Sequence, residues 1–499
     1  NYMAKDGYIL SIDQGTTSSR ALIFSDNGEI LSQKNYEFTQ LYPKNGWVEH
    51  DPIEIVDTTI KAIKFVIADS KIDPKDITVA GITNQRETVV VWDKTSGKPV
   101  YNAIVWQDRR TEEICEKLRS DGLSETITKK TGLIIDPYFS GTKIKWILEN
   151  VPVAKNKLDS GNLIIGTIDT WLIWNLSKGS SHYTDVTNAS RTMLYNIEED
   201  VWDKDLLKIL NIDSSLLPNV KNSSDDFGTI DKSFFGSSIL IGGVAGDQQS
   251  ASIGQLCFKE GMIKSTYGTG CFVLMNTGTN KMVSQSNLLA TTAYKLDTNK
   301  SFALEGSIFN AGTVVQWMRD ELNFISNASE VESLSSESKN QIFFVPAFTG
   351  LGAPYWNSDV RGQISGITRD TSKADIALAA LKSICFQTRD LFECFKTDTS
   401  RPIADFVVRV DGGMSKNNLM MQFLADILGT KIERPANQES TASGAAYLAG
   451  MYSGLYKGIA DLEELWKTDR VFEPRMTIDQ ADSEYSGWKT IINKLIKDG

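Results

Sequence analysis

Short apolar runs broken by glycine-containing polar turns open the chain. Tyr8-Ile9-Leu10-Ser11-Ile12 is apolar and partly β-branched, Asp13-Gln14-Gly15-Thr16-Thr17-Ser18-Ser19 has turn chemistry, and the stretch from Arg20 to Phe24 is apolar again. Asp26-Asn27-Gly28 supplies a second turn before Glu29-Ile30-Leu31. This spacing predicts three strands joined by two tight turns. The period then changes. In "DPIEIVDTTIKAIKFVI", Ile53, Val56, Ile60, Ile63 and Ile67 recur at steps of three and four, which predicts a helix with one buried stripe. Asp51 is placed to cap it, Pro52 suits its first position, and Glu54 suits a capping box. Strand signals return at Ile77–Ile82 and Thr88–Trp92, and strands followed by helices continue to about residue 250.

The second half repeats the theme. "MIKSTYGTGCFVLMNTG" (262–278) reads as strand, glycine-containing turn, strand. "FVVRVDGG" (406–413) is a strand ending in two glycines, ahead of the helix "NNLMMQFLADILG" that Gly429 should stop. Ser372, with Asp375 in the first turn, starts another long helix. "SNASEVESLSSESKNQ" (326–341) is the most polar stretch and is expected to be a mobile surface segment. Strands feeding helices in both halves predict a duplicated α/β layout with mixed sheets. A chain of 499 residues is also too long for one simple core.

Composition narrows the chemistry. A net charge of -11 argues against broad nucleic-acid or anionic-membrane binding, so a phosphate ligand needs a local site. The five cysteines are odd in number and none is in a CxxC spacing, as expected of reduced thiols in a cytoplasmic protein. No apolar run approaches the ~20 residues of a membrane span and no signal-peptide pattern opens the sequence, so no integral membrane association is expected. With only His50 and His182 present, an enzymatic general base is expected to be a carboxylate. GxxxxGK[ST], a helix-opening GxGxxG and HExxH are all absent.

Five stretches carry candidate chemistry, each with a plainer alternative. Asp13-Gln14-Gly15-Thr16-Thr17 is either an ordinary hairpin turn or a nest of N–H groups for phosphate oxygens. In the second case Thr16, Thr17 and Ser18 add donors, Arg20 adds charge, and Asp13 can hold Mg²⁺ or its water shell. Tyr267-Gly268-Thr269-Gly270 poses the same choice in the other half. Asp411-Gly412-Gly413, with Asn417 and Asn418 close behind, is a plain βα turn or bare backbone for a base or phosphate. Asp247 in "GDQQ" is a helix cap or a proton acceptor for a bound hydroxyl. Arg86 and Glu87, at the head of a strand, are surface charges or ligand contacts; neighbours on a strand face opposite ways, so they need a loop to converge. Trp106 and Tyr138 are core aromatics or pocket walls.

Taken in order, "IDQGTTSSRA", "NQRET", "WQDRR", "DPYFSGTK", "AGDQQSA", "STYGTGCF", "FVPAFTGLGAPYW", "RVDGGMSKNNLMMQF" and "STASGAAYLAG" resemble the FGGY carbohydrate-kinase family over nearly the whole chain. Several blocks resemble members acting on glycerol more than those acting on pentuloses. The resemblance implies an α/β fold of two actin/hexokinase-like (ribonuclease H-like) domains, their mixed sheets flanked by helices, with an interdomain cleft. It puts glycerol and phosphate binding in residues 1–253 and nucleotide binding in residues 254–499. It implies Mg-ATP-dependent phosphorylation of glycerol to sn-glycerol 3-phosphate by a homodimer or homotetramer.

Roles follow from the same resemblance. Asp247 resembles the general base, and Arg86, Glu87, Tyr138, Asp247 and Gln248 the hydroxyl-binding set. Trp106 and Phe272 resemble apolar walls against the carbon backbone. Thr16, Thr17, Ser18 and Arg20 resemble the first phosphate turn, Thr269 the second, and Gly312, Gln316, Gly413 and Asn417 the other nucleotide contacts. Asp13 resembles the carboxylate near Mg²⁺, reached through water. Bacterial relatives inhibited by fructose 1,6-bisphosphate carry a Gly/Arg loop where this chain has "DKSFFGSSILIGG" without arginine, so that inhibition is not expected. Two rivals stand beside this expectation: a kinase for a pentulose such as xylulose or ribulose, and an actin- or chaperone-like ATPase that uses nucleotide only as a switch.

Overall fold

The computed structural model describes residues 7–498. The opening hairpin forms as its turn chemistry predicts, with strands Tyr8–Gln14 and Ser18–Ser25 and only three residues between them. They belong to a six-stranded sheet whose spatial order is Thr229–Ile230, Ile239–Gly246, Ile77–Asn84, Tyr8–Gln14, Ser18–Ser25, Ile30–Glu37. Its centre is parallel, because Tyr8–Gln14 pairs with Ile77–Asn84 and that strand with Ile239–Gly246; its hairpin side is antiparallel.

The second half repeats the plan. Cys271–Gly278, Met262–Tyr267, Val407–Asp411 and Ile432–Pro435 follow one another, with Met262–Tyr267 antiparallel to the first and parallel to Val407–Asp411. Asn299–Ile308 and Leu289–Leu296 extend this seven-stranded sheet beyond the hairpin, and Thr468–Phe472 closes its other edge. In each sheet a hairpin runs into parallel strands fed by helices, the duplicated mixed-sheet arrangement expected from the alternating pattern. A smaller four-stranded sheet of Glu49–His50, Ala103–Ile104, Val89–Asp93 and Leu163–Thr167 branches from the first half.

Helix starts follow the sequence closely. Ser372 and Asp375 form a reciprocal capping box on the helix Lys373–Thr399. Asn417 caps Asn418–Leu428, which ends at Gly429 in the left-handed conformation. Asp51 caps Pro52–Ser70 by accepting from the Ile53 N–H. Two details differ. Glu54 makes no capping box; its carboxylate instead accepts from the main chain and hydroxyl of Thr39. The buried face is Ile55, Val56, Thr59, Ala62, Ile63 and Val66, while Ile53 is 45% exposed. The face is set by docking on Ser18–Ser25 and Ile30–Glu37, so small Thr59 and Ala62 go inside and Ile60 and Ile67 lie half-buried at the edge. The polar stretch 326–341 is also more ordered than expected. It forms the turn Ala328–Glu330 and the helix Val331–Ser335, and Glu332 accepts from the Leu419 N–H.

Two helices join the halves. Asp247–Gly254 leaves the end of the first sheet, and Ser440–Ser453 packs on it and on the strands Ile239–Gly246, Ile77–Asn84 and Tyr8–Gln14. The approach is backbone to backbone. A Cβ on Gly254 would fall 1.9 Å from the Ser440 carbonyl oxygen, and one on Gly444 would fall 1.9 Å from the Ser250 carbonyl oxygen. No larger residue fits at either position without parting the helices.

Candidate active site

The first turn is closed by the Gly15 N–H donating to the Ser18 carbonyl at 2.9 Å. Thr17 is exposed, with Thr16 and Ser18 partly so, leaving their hydroxyls accessible. Asp13 is the penultimate residue of its strand, and Arg20 lies opposite it in register. The Arg20 guanidinium is 3.9 Å from the Asp13 carboxylate and bonds the carboxylate of Glu439, just before the helix Ser440–Ser453. Arg20 therefore ties the turn to the second half of the chain. Burial raises the Asp13 carboxyl above its usual range, opposed by Arg20.

The second turn is built into its surroundings. The Gly268 N–H donates to the Gly270 carbonyl, and the N–H groups of Ala311, Gly312 and Thr313 donate to carbonyls of Thr269, Gly268 and Thr269. A Cβ on Gly312 would sit 2.7 Å from the Gly268 carbonyl oxygen, so Gly312 lets the helix Gly312–Asp320 seat against the turn. Thr269 and Gln316 remain exposed. Gly412, at φ 89°, brings its loop against Tyr267, where a Cβ would meet the carbonyl oxygen at 2.4 Å. Gly413 faces open space, a bare surface on which a planar base can lie. Asn417 accepts from the Met420 N–H through its side-chain oxygen, while its buried Nδ2 has no protein partner and is free to donate to a ligand.

Between the turns lies a buried polar cluster. Asp247 is the first residue of its helix, directly after the strand Ile239–Gly246, with Gly246 at the cap position. Its Oδ1 accepts from the Gln248 N–H at 2.8 Å and lies 3.4 Å from Arg86 Nε. Burial raises the Asp247 carboxyl, with Arg86 and Lys264 pulling it down. A raised carboxylate is a better proton acceptor at neutral pH than an ordinary one.

Arg86 and Glu87 do converge. Glu87 takes a left-handed backbone at φ 63°, a strained conformation for a non-glycine residue that brings its side chain to the same side as Arg86. Glu87 Oε1 is 3.7 Å from Arg86 Nε and accepts from Arg191 Nε at 2.9 Å. Arg86 Nη1 donates to Glu305 Oε1 at 2.6 Å, and Arg86 Nη2 to the Tyr138 hydroxyl at 3.2 Å. Arg191 Nη2 is 2.8 Å from Glu305 Oε2. Trp106 faces Tyr138 at 5.7 Å and, from the other half, Phe272 at 6.3 Å between ring centroids. Gln248 accepts from the buried amine of Lys264, which also donates to the Thr266 hydroxyl and the Phe272 carbonyl. With Gln248 Oε1 so occupied, its amide N–H groups are the ones offered to a ligand.

Sequence reasoning did not single out Arg191, Glu305 or Lys264. All three are almost wholly buried and interlock with Arg86, Glu87 and Gln248. A signal was present: Glu305 is a lone carboxylate in the apolar run "SFALEGSIF". Neither histidine enters the cluster. His50 bonds Gln40 and, with burial, falls to about 4; His182 bonds the Ile165 carbonyl.

Mg²⁺ needs few protein ligands when substrate phosphates and water fill the rest of its octahedron. Among the described residues no three of His, Cys, Asp or Glu gather into a metal-binding group. Asp13, buried beside the first turn with its nearest cation 3.9 Å away, suits a single carboxylate contact of that kind.

Residues 8–254 match the N-terminal domain, and residues 263–453 the C-terminal domain, of the FGGY family of carbohydrate kinases. The chain is 54% identical to the glycerol kinase of Petrotoga mobilis over 98% of both proteins. It is 52% identical to that of Alteromonas mediterranea over 98% of this chain and 99% of the relative. The fold superposes on Plasmodium falciparum glycerol kinase, solved with ADP, with a TM-score of 0.92, 40% identity and 98% coverage of each chain. A xylulose kinase from Lactobacillus acidophilus shares the fold at a TM-score of 0.85 and 23% identity. Two matching domains, full-length relatives and a shared architecture with a buried polar site between two turns lead to one conclusion: the chain belongs to the FGGY family of carbohydrate kinases.

Proposed function

We propose that the protein transfers the γ-phosphoryl group of ATP to glycerol, giving sn-glycerol 3-phosphate. One observation carries this most directly: Asp247, Arg86, Glu87, Tyr138 and Gln248 gather beside the Trp106–Phe272 wall, a mixture of donors, acceptors and apolar surface that suits a small polyol. Arg86 only donates, ionised Glu87 and Asp247 only accept, and each glycerol hydroxyl does both. An unpaired hydroxyl in a dry site costs roughly 1–3 kcal/mol, which favours a ligand that satisfies every group. The names of the full-length relatives agree. A nucleotide-driven switch would have no use for this polyol pocket.

Asp247 accepts the proton of the attacking hydroxyl as the bond to phosphorus forms. Arg86 and Glu87 orient the remaining hydroxyls, and Trp106 and Phe272 cover the carbon face. Thr16, Thr17 and Ser18 donate to phosphate oxygens from one side and Thr269 from the other; Gly312, Gln316, Gly413 and Asn417 line the nucleotide. Arg20, held by Glu439, orders the first turn. Asp13 would hold Mg²⁺ through water, and the ion supplies neutralisation of phosphate charge. Covering glycerol between the two halves keeps water, at ~55 M, from taking the phosphoryl group.

We further propose residues 1–253 and 254–499 as the two domains, a homodimer or homotetramer as the assembly, and the cytoplasm as the location. The five cysteines are all unpaired and buried, which fits a reducing compartment, and no described helix is long and apolar enough to cross a membrane. The substrate assignment is tested by steady-state kinetics on glycerol, xylulose and ribulose with Mg-ATP. Glycerol is expected to give the highest kcat/KM, because a larger sugar meets Trp106 and Phe272. A pentulose that outperforms glycerol would refute the assignment, and ATP turnover indifferent to glycerol would favour a switch ATPase.

A further inference from the structure

Trp106 touches the first phosphate turn as well as the polyol pocket. Its indole Nε1 donates to Thr16 Oγ1 at 2.9 Å. An indole N–H can only donate, and a threonine hydroxyl carries one proton. Thr16 therefore accepts from Trp106 and keeps its own proton to give elsewhere. The Thr16 carbonyl is fixed in turn by Gln40 Nε2 at 2.9 Å. A second route starts from the same residue. The Trp106 N–H donates to Thr88 Oγ1 at 3.1 Å, and Thr88 Oγ1 donates to Gln85 Oε1 at 2.8 Å. Gln85 Nε2 then donates to Gln14 Oε1 at 3.0 Å and to the Gly15 carbonyl at 3.1 Å. Gln85 and Thr88 are fully buried, so neither has water as a substitute partner. One wall residue of the pocket is thus bonded to the phosphate turn by two separate paths, while its ring faces Phe272 from the other half.

We propose that Trp106 is a positioning residue for phosphoryl transfer: its indole N–H aims the Thr16 proton at the phosphate and links occupation of the polyol pocket to the order of the turn. This rests on the phosphotransfer to glycerol proposed above. A polyol seated between Trp106 and Phe272 restrains the indole, the restrained indole restrains the Thr16 hydroxyl, and the turn is then set for transfer. With the pocket empty, the ring and the hydroxyl have more freedom, and ATP is held less productively.

The test is a double-mutant cycle on the full chain, Trp106→Phe against Thr16→Val, with glycerol phosphorylation and glycerol-free ATP hydrolysis both measured. Phe keeps an apolar wall but lacks the N–H; Val keeps the shape of Thr but cannot accept. Trp106→Phe is expected to lower kcat roughly two- to tenfold, the worth of one neutral hydrogen bond, and to lower the ratio of transfer to hydrolysis. In the Thr16→Val background the same change should leave kcat unaltered, whereas in Thr16→Ser, which keeps a hydroxyl, it should act as in the wild type. Effects on kcat that multiply in the Val background, or a Trp106→Phe enzyme changed only in glycerol KM, would overturn the positioning role. A wild-type protein without glycerol-dependent turnover would instead overturn the function on which it rests.

Discussion

Asp247→Asn is expected to lower kcat by about 10²–10⁴-fold, the usual worth of a general base, with ATP and glycerol binding close to wild type. The substitution is nearly isosteric. It keeps a side-chain oxygen that can accept from the Gln248 N–H, so the start of the helix Asp247–Gly254 is preserved. What it removes is the proposed proton acceptor. No neighbour can substitute: Gln248 has no basic group, Glu87 is bonded to Arg191, and neither histidine belongs to the cluster. Arg86 Nε, 3.4 Å from Asp247, loses that ionic contact but keeps Glu87 at 3.7 Å, while Nη1 and Nη2 keep Glu305 and Tyr138. The effect should therefore fall on kcat far more than on KM. A loss smaller than tenfold would move the base to another group.

The second large effect is expected from Glu305→Ala. Glu305 reaches from the second sheet to two arginines of the first half, accepting from Arg86 Nη1 and lying 2.8 Å from Arg191 Nη2. The cluster balances three cations, Arg86, Arg191 and Lys264, against three carboxylates, Glu87, Glu305 and Asp247. Burial works against an ionised Glu305, but Arg191 and Arg86 outweigh it and hold its carboxyl below the usual range. Removing it leaves two buried guanidiniums short of a counter-charge. Breaking one partner out of a buried ion pair costs about 3–5 kcal/mol, read here as a lower free energy of unfolding in denaturant. Arg86 also loses the bond that holds its Nη1, so kcat/KM for glycerol should drop on the order of 10–100-fold, the worth of a hydrogen bond to a charged group. Glu305→Gln, which retains an acceptor, should fall between the two. An alanine variant with wild-type stability and wild-type glycerol KM would show that the network plays no part in either.

The two turns were legible because each is local. Gly15 and Thr16 sit between two apolar runs, as do Gly268 and Thr269, and the hairpins formed where those runs stop. Capping was legible for the same reason: Ser372 and Asp375, or Asn417 and the Met420 N–H, are three residues apart. The buried stripe of Pro52–Ser70 was read less well. Periodicity fixes a helix but not which of two neighbouring apolar faces docks, and that is decided by strands elsewhere in the chain. The charge network was hidden for a stronger version of this reason. Arg191 and Glu305 lie more than a hundred residues apart and from Arg86, and nothing near any one of them names its partner. The strained backbone at Glu87 is likewise a product of tertiary structure, because no glycine marks the position.

The link between Arg20 and Glu439 bears on how the site is assembled. Arg20 stands in the strand that leaves the first turn and Glu439 at the entrance of the helix that crosses to the first sheet. In the proposed function, a guanidinium so engaged acts chiefly on the order of the turn, leaving exposed Thr17 and partly exposed Thr16 and Ser18 for the phosphates. Phosphoryl transfer asks mainly for positioning and charge neutralisation, and most contacts found here position one group against another.

In the proposed reaction glycerol is held by Arg86, Glu87, Tyr138 and Gln248 with its attacking hydroxyl on Asp247. The most direct measurement is a crystal structure with glycerol and a non-hydrolysable ATP analogue bound. The predicted result is a glycerol hydroxyl within about 2.6–3.2 Å of Asp247, pointing at the γ-phosphate, with Arg86 and Glu87 bonded to the other hydroxyls and Trp106 and Phe272 against the carbons. Glycerol bound with no hydroxyl on Asp247, or with its hydroxyls turned away from the phosphate, would contradict it.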